Sequence, residues 1–298
     1  MRSPGRIAAS LSLALLVVLG AGLLGAGWIG SERAIHPAIA HYKQSLADFP
    51  SLHPQEFELE SRTHTRIAAC LFPGVRPATI VLSHGYGDHQ AEMLPYADFL
   101  NRRGFTVVTY DMRNRGHSGG DAVTLGALES LDLISVVEAL SKRPDVDHAR
   151  IAAMGVSLGG STTIMAAARD PRVRAVVDDS GFSDAPNVIA SSFEHFIGLP
   201  AFPFAPLTVF IVKLRTGLDP DQIRPMDVIA RISPRPLLII HSMDDTVVPP
   251  ANSERNFAAA REPKQFWRIP AGGHVGGHDM AREEYERRVV EFFGEALR

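Results

Sequence analysis

Apolar residues fall along this chain in two alternating rhythms. Short runs at 57–61, 66–72, 78–83, 105–110, 151–154, 173–177, 237–240 and 265–269 read as strands, bounded by polar and turn residues. The run at 78–83 is apolar through its middle (Ile80, Val81, Leu82), as expected of a strand covered on both faces. Between these runs, 91–103, 128–141, 161–169 and 280–297 read as helices, Gly104 closing the first of them. Strands separated by helices predict a mostly parallel sheet of about eight strands with helices on both faces.

Two stretches break the rhythm. Residues 184–232 are longer than a simple crossover, rich in Phe (Phe193, Phe196, Phe202, Phe204, Phe210), and cut into pieces by Pro200, Pro203 and Pro206. They predict a lid-like helical insertion supplying an acyl or aromatic pocket, or else two extra helices packed on the main body. The other exception is at the N-terminus, where residues 7–31 carry no charge between Arg6 and Glu32. A bilayer core needs about 20 apolar residues, whereas the apolar region of a cleavable signal runs to roughly 7–15. The expectation is therefore an uncleaved anchor. Arg2 and Arg6 ahead of it favour an exported domain, a bias thinned by Arg33 and Lys43 on the other side. Secretion after cleavage near Gly25-Ala26-Gly27 is the alternative. Ala21 and Gly25, or Gly22 and Ala26, have the spacing of small residues that pack two anchors together. Small residues are also simply common in such segments. The layout expected is an anchor or signal at 1–31, a linker or peripheral helix at 32–55, and one α/β domain at 56–298.

Composition changes this picture little. A net charge of −3 leaves no basic excess to meet phosphates, which argues against a nucleic-acid partner. The single cysteine, Cys70, cannot form an internal disulfide and reads as a small buried hydrophobe. Nothing in the pattern calls for an obligate protein partner; membrane contact through the N-terminal segment is the one expected.

Candidate chemistry begins at Gly155-Val156-Ser157-Leu158-Gly159. This G-x-S-x-G lies between a strand-like and a helix-like run, where a tight turn lifts a serine hydroxyl clear of the sheet. Such a hydroxyl is a poor nucleophile without a base and a group that orients the base. Downstream, the loop after the 237–240 strand offers two carboxylates, Asp244 and Asp245, and the loop after the 265–269 strand offers His274 and His278. Glycines before His274 let its loop fold back over the sheet, which favours it as the base. The oxyanion donors expected are the backbone N–H of Leu158, at the start of a helix, and of Tyr86 in His84-Gly85-Tyr86-Gly87, with Gly85 next. His84 reads as a brace under that loop, and 111–118 as an ordered loop pinned by Asp111 and Arg115. A metal held by His274, His278 and Asp279 is disfavoured, since the H-E-x-x-H pattern is absent. A phosphate loop at 155–162 fails for want of its lysine. No cofactor is expected.

Taken in order, His84 to Gly87, the 111–118 loop, Gly155 to Gly159, Asp245 with Val248-Pro249, and Gly273-His274 resemble the α/β-hydrolase superfamily over roughly residues 55–298. The resemblance is to its serine esterase, lipase and prolyl-oligopeptidase-like members. It implies an α/β-hydrolase fold, a Ser157–His274–Asp245 triad, and hydrolysis of a small-molecule ester or acyl substrate through an acyl-enzyme. The Asp-x-x-Val-Pro setting of the acid implies Asp245 rather than Asp244. A peptidase or amidase, an acyltransferase, or a catalytically silent binding protein of the same fold are the alternatives.

Overall fold

The computed structural model describes residues 4–38 and 45–298; Arg2, Lys43 and part of the 32–55 stretch lie outside these residues. Eight strands form one sheet: β1 (Gln55–Glu60), β2 (Arg66–Phe72), β3 (Thr79–Ser83), β4 (Thr106–Tyr110), β5 (Ile151–Val156), β6 (Val173–Asp179), β7 (Leu237–Ser242) and β8 (Lys264–Ile269). Their spatial order is β1-β2-β4-β3-β5-β6-β7-β8. β1 and β2 pair antiparallel, β2 runs antiparallel to β4, and the remaining pairs are parallel. The edge strand β1 carries Glu56, Glu58 and Glu60, charges that discourage pairing with another chain.

The helices, in chain order, are α1 (Pro4–Ile35), α2 (Leu94–Arg102), α3 (Glu129–Ser141), α4 (Leu158–Ala167), α5 (Ala185–Ile197), α6 (Ala201–Thr216), α7 (Pro225–Val228), α8 (Ala251–Ala259), α9 (Gly277–Met280) and α10 (Arg282–Ala296). The pleat sorts the central strands between two cores. Val81, Ala153 and Ile239 point to one face, with Leu133, Val137 and Ile164 of α3 and α4. Ile80, Leu82 and Met154 point to the other, with Phe99 of α2 and Tyr285 and Phe293 of α10. Burying such side chains contributes roughly 1.5–3 kcal/mol each. Cys70 is buried in the second core, where burial, with Glu56 and Asp111 adding to it, pushes its thiol up to about 11.

The strand pattern is that of the apolar runs, but the helices differ in detail: the 91–103 helix opens as a 3-10 turn, Gln90–Met93, before α2, and α4 starts at Leu158. The C-terminal 280–297 helix is split by Ala281 into α9 and α10. α8 escaped the periodicity altogether, because the residues it buries are Asn252, Ser253 and Asn256. Its inward face is polar, so no apolar stripe announces it.

α1 runs on through Ile35, into the stretch read as linker. Within it, Ser10–Ile35 is long and apolar enough to cross a membrane. Its last turns dock on α6 so closely that a Cβ on Gly27 would collide with Leu207 and Ile211, and one on Gly30 with Thr208. The Arg215 guanidinium of α6 donates to Ser31 Oγ (2.8 Å) and to the Glu32 carboxylate (2.6 Å). Arg33 reaches the Ile197 carbonyl at the end of α5. α5 and α6 meet at a 105° bend. α5 is capped at its start by Asp184, which accepts from Asn187 N (3.0 Å), and stopped by Gly198 in the left-handed conformation.

Candidate active site

Ser157 sits between β5 and α4 with φ 52° and ψ −118°, a conformation that costs a non-glycine residue on the order of 1–3 kcal/mol. The flanking glycines make it possible. A Cβ at Gly155 would collide with the Gly159 carbonyl, and one at Gly159 with the Ser83 carbonyl of β3. The Ser157 amide donates to the Asp179 carbonyl at the end of β6 (2.8 Å), which pins the turn to the sheet.

Three of the predicted side chains meet here. His274 Nε2 accepts from the Ser157 hydroxyl at 2.9 Å, and His274 Nδ1 donates to Asp245 Oδ2 at 2.7 Å. Asp245 is buried and collects four N–H donors. The Val247 and Val248 amides reach Oδ1, each at 2.9 Å; His274 Nδ1 and His241 Nε2 (3.1 Å) reach Oδ2. Burial works against its charge, but these donors outweigh it and hold the carboxyl well below the usual carboxylate range. His241, which sequence reasoning passed over, is fully buried. Its Nε2 also faces the Val248 carbonyl (2.8 Å) and its Nδ1 the Ser253 hydroxyl (2.6 Å). Burial disfavours its charge; Asp245 and the Val248 carbonyl more than offset this and raise its pKa.

The competitors do other things. Asp244 is exposed, and its Oδ1 accepts from the amides of Gly272 (2.9 Å) and Gly273 (2.8 Å), bracing the loop that carries His274. The Asp244-Asp245 pair before a Gly-Gly-His was the only sequence signal for that brace. His278 is buried in an aromatic box, stacked on Phe99 and edge-on to Tyr285. It does not join His274, and among the described residues no group of three or more His, Cys, Asp or Glu is arranged to hold a metal.

The loop after β3 lies beside Ser157. The Gly85 amide is taken by the Glu92 carboxylate at 2.6 Å and is not free to face Ser157. Leu158 opens α4, where a helix's first N–H groups have no acceptor inside the helix. His84 is fully buried beneath the loop. Its Nε2 accepts from the Met112 amide (2.9 Å) and its Nδ1 donates to the Gly85 carbonyl (2.8 Å), which ties β3's loop to the loop after β4. Burial lowers its pKa to about 4, so the ring is neutral. Asp111 accepts from the amides of Gln90 and His117, each at 2.8 Å, and so pins the 111–118 loop. The Arg115 backbone helps close the loop, donating to the Met112 carbonyl (3.1 Å) and accepting from the Ser118 amide (2.9 Å), but among the described residues no hydrogen bond joins its side chain to Asp111. It donates instead to the Pro37 carbonyl (2.7 Å) beyond α1, and the buried ion pair of this loop is Arg113 with Asp132, bidentate at 2.7 Å.

A cleft opens onto Ser157. Its walls are mostly apolar and include Val188 and Phe193 of α5, Val209 and Val212 of α6, Ala34 and Ile35 of α1, and Val123 and Leu125 of the segment before α3. Tyr86 seals one corner. Its hydroxyl donates to the Ala34 (2.9 Å) and Arg33 (3.1 Å) carbonyls, and its ring packs edge-on against Phe196. The 184–232 stretch thus lines the cleft with residues of α5 and α6, while Ile223, Ile229 and Ile232 pack into the core of the main body.

A family model described as the prolyl oligopeptidase family matches residues 91–298. The chain belongs to the prolyl oligopeptidase family. It is 30% identical over 222 residues to the uncharacterized protein YqkD of Bacillus subtilis, covering 74% of this chain and 72% of that one. It is 29% identical over 223 residues to the uncharacterized protein YfhR of Escherichia coli, covering 74% and 71%. Among solved structures it is similar to the Pyrococcus furiosus esterase Pf2001, at a TM-score of 0.71 and 24% identity, over 88% of this chain and 100% of that one. A puromycin-hydrolyzing peptidase of Mycobacterium tuberculosis matches at 0.67 and 22%, over 83% of this chain and 39% of that one. These likenesses give the α/β-hydrolase fold, and family and fold together make the protein a serine hydrolase.

This family member also buries two carboxylates under the turn, Asp178 and Asp179 at the end of β6, which the strand reading at 173–177 stopped short of. Asp179 accepts from Tyr285 Oη (2.6 Å) and Ser180 Oγ (2.8 Å). Burial pushes the Asp178 carboxyl up to about 7, against the pull of His241, the Gly181 amide and the Asn256 side chain. A raised acid favours the folded state only while protonated. Stability from Asp178 is therefore full below the unfolded pKa, near 3.8, and is lost as pH rises through about 7. Asp178→Asn is expected to melt higher than the parent at pH 8, by an amount on the order of a few kcal/mol. The advantage should vanish near pH 4. Melting curves of both proteins across that range in detergent check this; a gain independent of pH would remove the titration from the explanation.

Proposed function

We propose that the protein is a membrane-anchored serine hydrolase that cleaves carboxylic esters. The observation that carries the reading is the hydrogen-bonded line from Asp245 through His274 to Ser157, set at the mouth of an apolar cleft. Ser157 Oγ attacks the ester carbonyl while His274 Nε2 takes its proton. Asp245 holds the imidazole in the tautomer that leaves Nε2 free to accept, and favours the imidazolium once formed. The N–H groups of Leu158 and Tyr86 receive the developing oxyanion, and the positive end of α4 adds to them. His274 returns the proton to the leaving alcohol. A water then enters, loses a proton to His274 and hydrolyses the acyl-enzyme. Ester preference follows from the cleft's walls, which offer an acyl chain apolar contact and no charged side chain for a peptide terminus. Family membership favours one second reading, a peptidase or amidase with the same three residues.

The N-terminal helix acts as the anchor, with the domain exported. Ala34 and Ile35 wall the cleft, and Arg33 and Arg215 tie the end of the helix to α5 and α6, which supports a role for residues 31–35 in the site. A fluorophosphonate probe should add one covalent mass per chain, on the peptide containing Ser157. Parallel assays on matched p-nitrophenyl ester and p-nitroanilide substrates should show the ester cleaved faster. An unlabelled Ser157 would sink the mechanism, and a faster anilide would move the protein to the peptidase reading.

A further inference from the structure

We propose that α6 lies on the bilayer surface beside the anchor, and that the cleft takes its substrate, a long-chain acyl ester of a membrane lipid, from the bilayer between α5 and α6. The substrate half rests on the ester-hydrolase reading above and deepens it.

The level of the membrane is marked on α1. Its apolar, exposed side chains run up to Trp28 and Ile29, and polar Ser31, Glu32 and Arg33 follow at once. Trp28 is 55% exposed, with the Arg215 guanidinium 4.6 Å from its ring centre, the pairing of aromatic and cation found where a helix leaves hydrocarbon. α6 crosses α1 at this level, touching Gly27 and Gly30.

The contacts also show which flank of α6 faces the bilayer. Thr208 meets Gly30, whereas Leu207 and Ile211 meet Gly27, nearly one turn closer to the membrane end of α1. At about 3.6 residues per turn, the next side chains round in that direction are Leu214 and Phe210. Both are apolar and open, at 68% and 58% exposed. Phe202, at the bend before α6, is 83% exposed. The flank on the opposite side holds Thr208, Val209 and Val212, which line the cleft on Ser157. α6 thus separates the reactive serine from the bilayer by the thickness of one helix. A second apolar hollow, between α5 and α6, shares Ile189, Val209 and Pro220 with the cleft and reaches Phe202. An acyl chain entering this hollow at Phe202 would meet Ile189, Val209 and Pro220, which also wall the cleft on Ser157, where the acyl–oxygen bond breaks; water supplies hydroxyl to the acid and its proton to the leaving alcohol.

The test uses the full chain in vesicles of phosphatidylcholine and phosphatidylglycerol. Bimane is placed on Phe210→Cys, Leu214→Cys or, as control, Val75→Cys (94% exposed, in the loop between β2 and β3); the native Cys70 is buried. Spin-labelled lipid should quench the first two probes by more than half and the third hardly at all. In the activity arm, Phe210→Glu with Leu214→Glu should slow hydrolysis of vesicle-embedded phosphatidylglycerol tenfold or more and leave p-nitrophenyl butyrate unchanged. Neither residue lines the cleft. Equal quenching at all three sites, or disulfide cross-linking of two copies of the Phe210→Cys variant in place of quenching, overturns the membrane placement. Butyrate cleaved but vesicle lipid untouched by the parent protein overturns the lipid substrate and leaves the esterase reading standing. Loss of both substrates together with an unlabelled Ser157 overturns the esterase reading, and the lipid substrate falls with it, while quenching still decides the placement.

Discussion

Ser157→Ala is expected to lower the turnover of p-nitrophenyl butyrate on the order of 10⁵-fold or more, with the melting temperature little changed. The rate falls because the variant has no atom that can form the acyl-enzyme; the amides of Leu158 and Tyr86 and the cleft remain, and they leave only a weak residual acceleration over water. Stability holds for a backbone reason. At φ 52° an alanine is as strained as the serine it replaces, and the amide of residue 157 still donates to the Asp179 carbonyl. The hydroxyl's one hydrogen bond goes to His274, which is partly solvated and can pair with water instead. Single-turnover and steady-state rates of the purified variant, set beside its melting curve, decide the matter. Activity within tenfold of the parent would show that another group attacks the ester, and the cleft mouth would have to be searched for it.

The sheet and the three converging side chains were legible in the sequence for separate reasons. Strands buried on both faces are mostly apolar, so β3, β5 and β7 appear as short apolar runs, and β4 as the β-branched run Thr106-Val107-Val108-Thr109. The Ser157 turn appears because its geometry excludes a Cβ at positions 155 and 159 and therefore forces glycine there. What stayed hidden is polar and internal. Asn252, Ser253 and Asn256 face inward from α8, where they hold Ser183, His241 and the Phe182 carbonyl, so the apolar period that reveals other helices is missing. His241, Asp178 and Asp179 stand at strand ends, where a charged or polar residue reads as the start of a loop. Asp244 looked like a spare carboxylate because its partners are two backbone amides, which leave no trace in side-chain identity. The role of α1 in walling the cleft was equally out of reach. A membrane span is recognised by uniform apolarity, and that signal hides Gly27 and Gly30, which make specific contacts, while Ala34 and Ile35 fell in the stretch read as linker.

The same hidden polar shell makes Asp245→Asn the most damaging isosteric change in the site. Every lone pair that Asp245 uses meets an N–H: Val247 and Val248 on Oδ1, His274 and His241 on Oδ2. An asparagine must point its own NH₂ group at one of these pairs of donors. Turned toward the imidazoles, it forces His274 Nδ1 to become an acceptor. Nε2 then carries the hydrogen and cannot take the proton from Ser157. Turned toward the Val247 and Val248 amides, it sets donor against donor in a buried loop, at a cost of about 1–3 kcal/mol for each group left unpaired. Turnover of p-nitrophenyl butyrate should fall about 10⁴-fold by the tautomer effect alone. Asp244→Asn is the matched control. Its amide oxygen can still accept from Gly272 and Gly273, and its NH₂ group faces solvent, so activity should stay within about tenfold of the parent. Steady-state rates and urea unfolding of the two variants separate the roles. Asp245→Asn should lose both rate and stability at neutral pH, with the parent's advantage in stability shrinking as acid protonates Asp245, since a depressed acid stabilises the fold only while ionised. If instead Asp244→Asn were the inactive variant and Asp245→Asn retained a tenth of the parent's rate, the orienting acid would be Asp244, and the loop would have to rearrange in the working enzyme to bring it to His274.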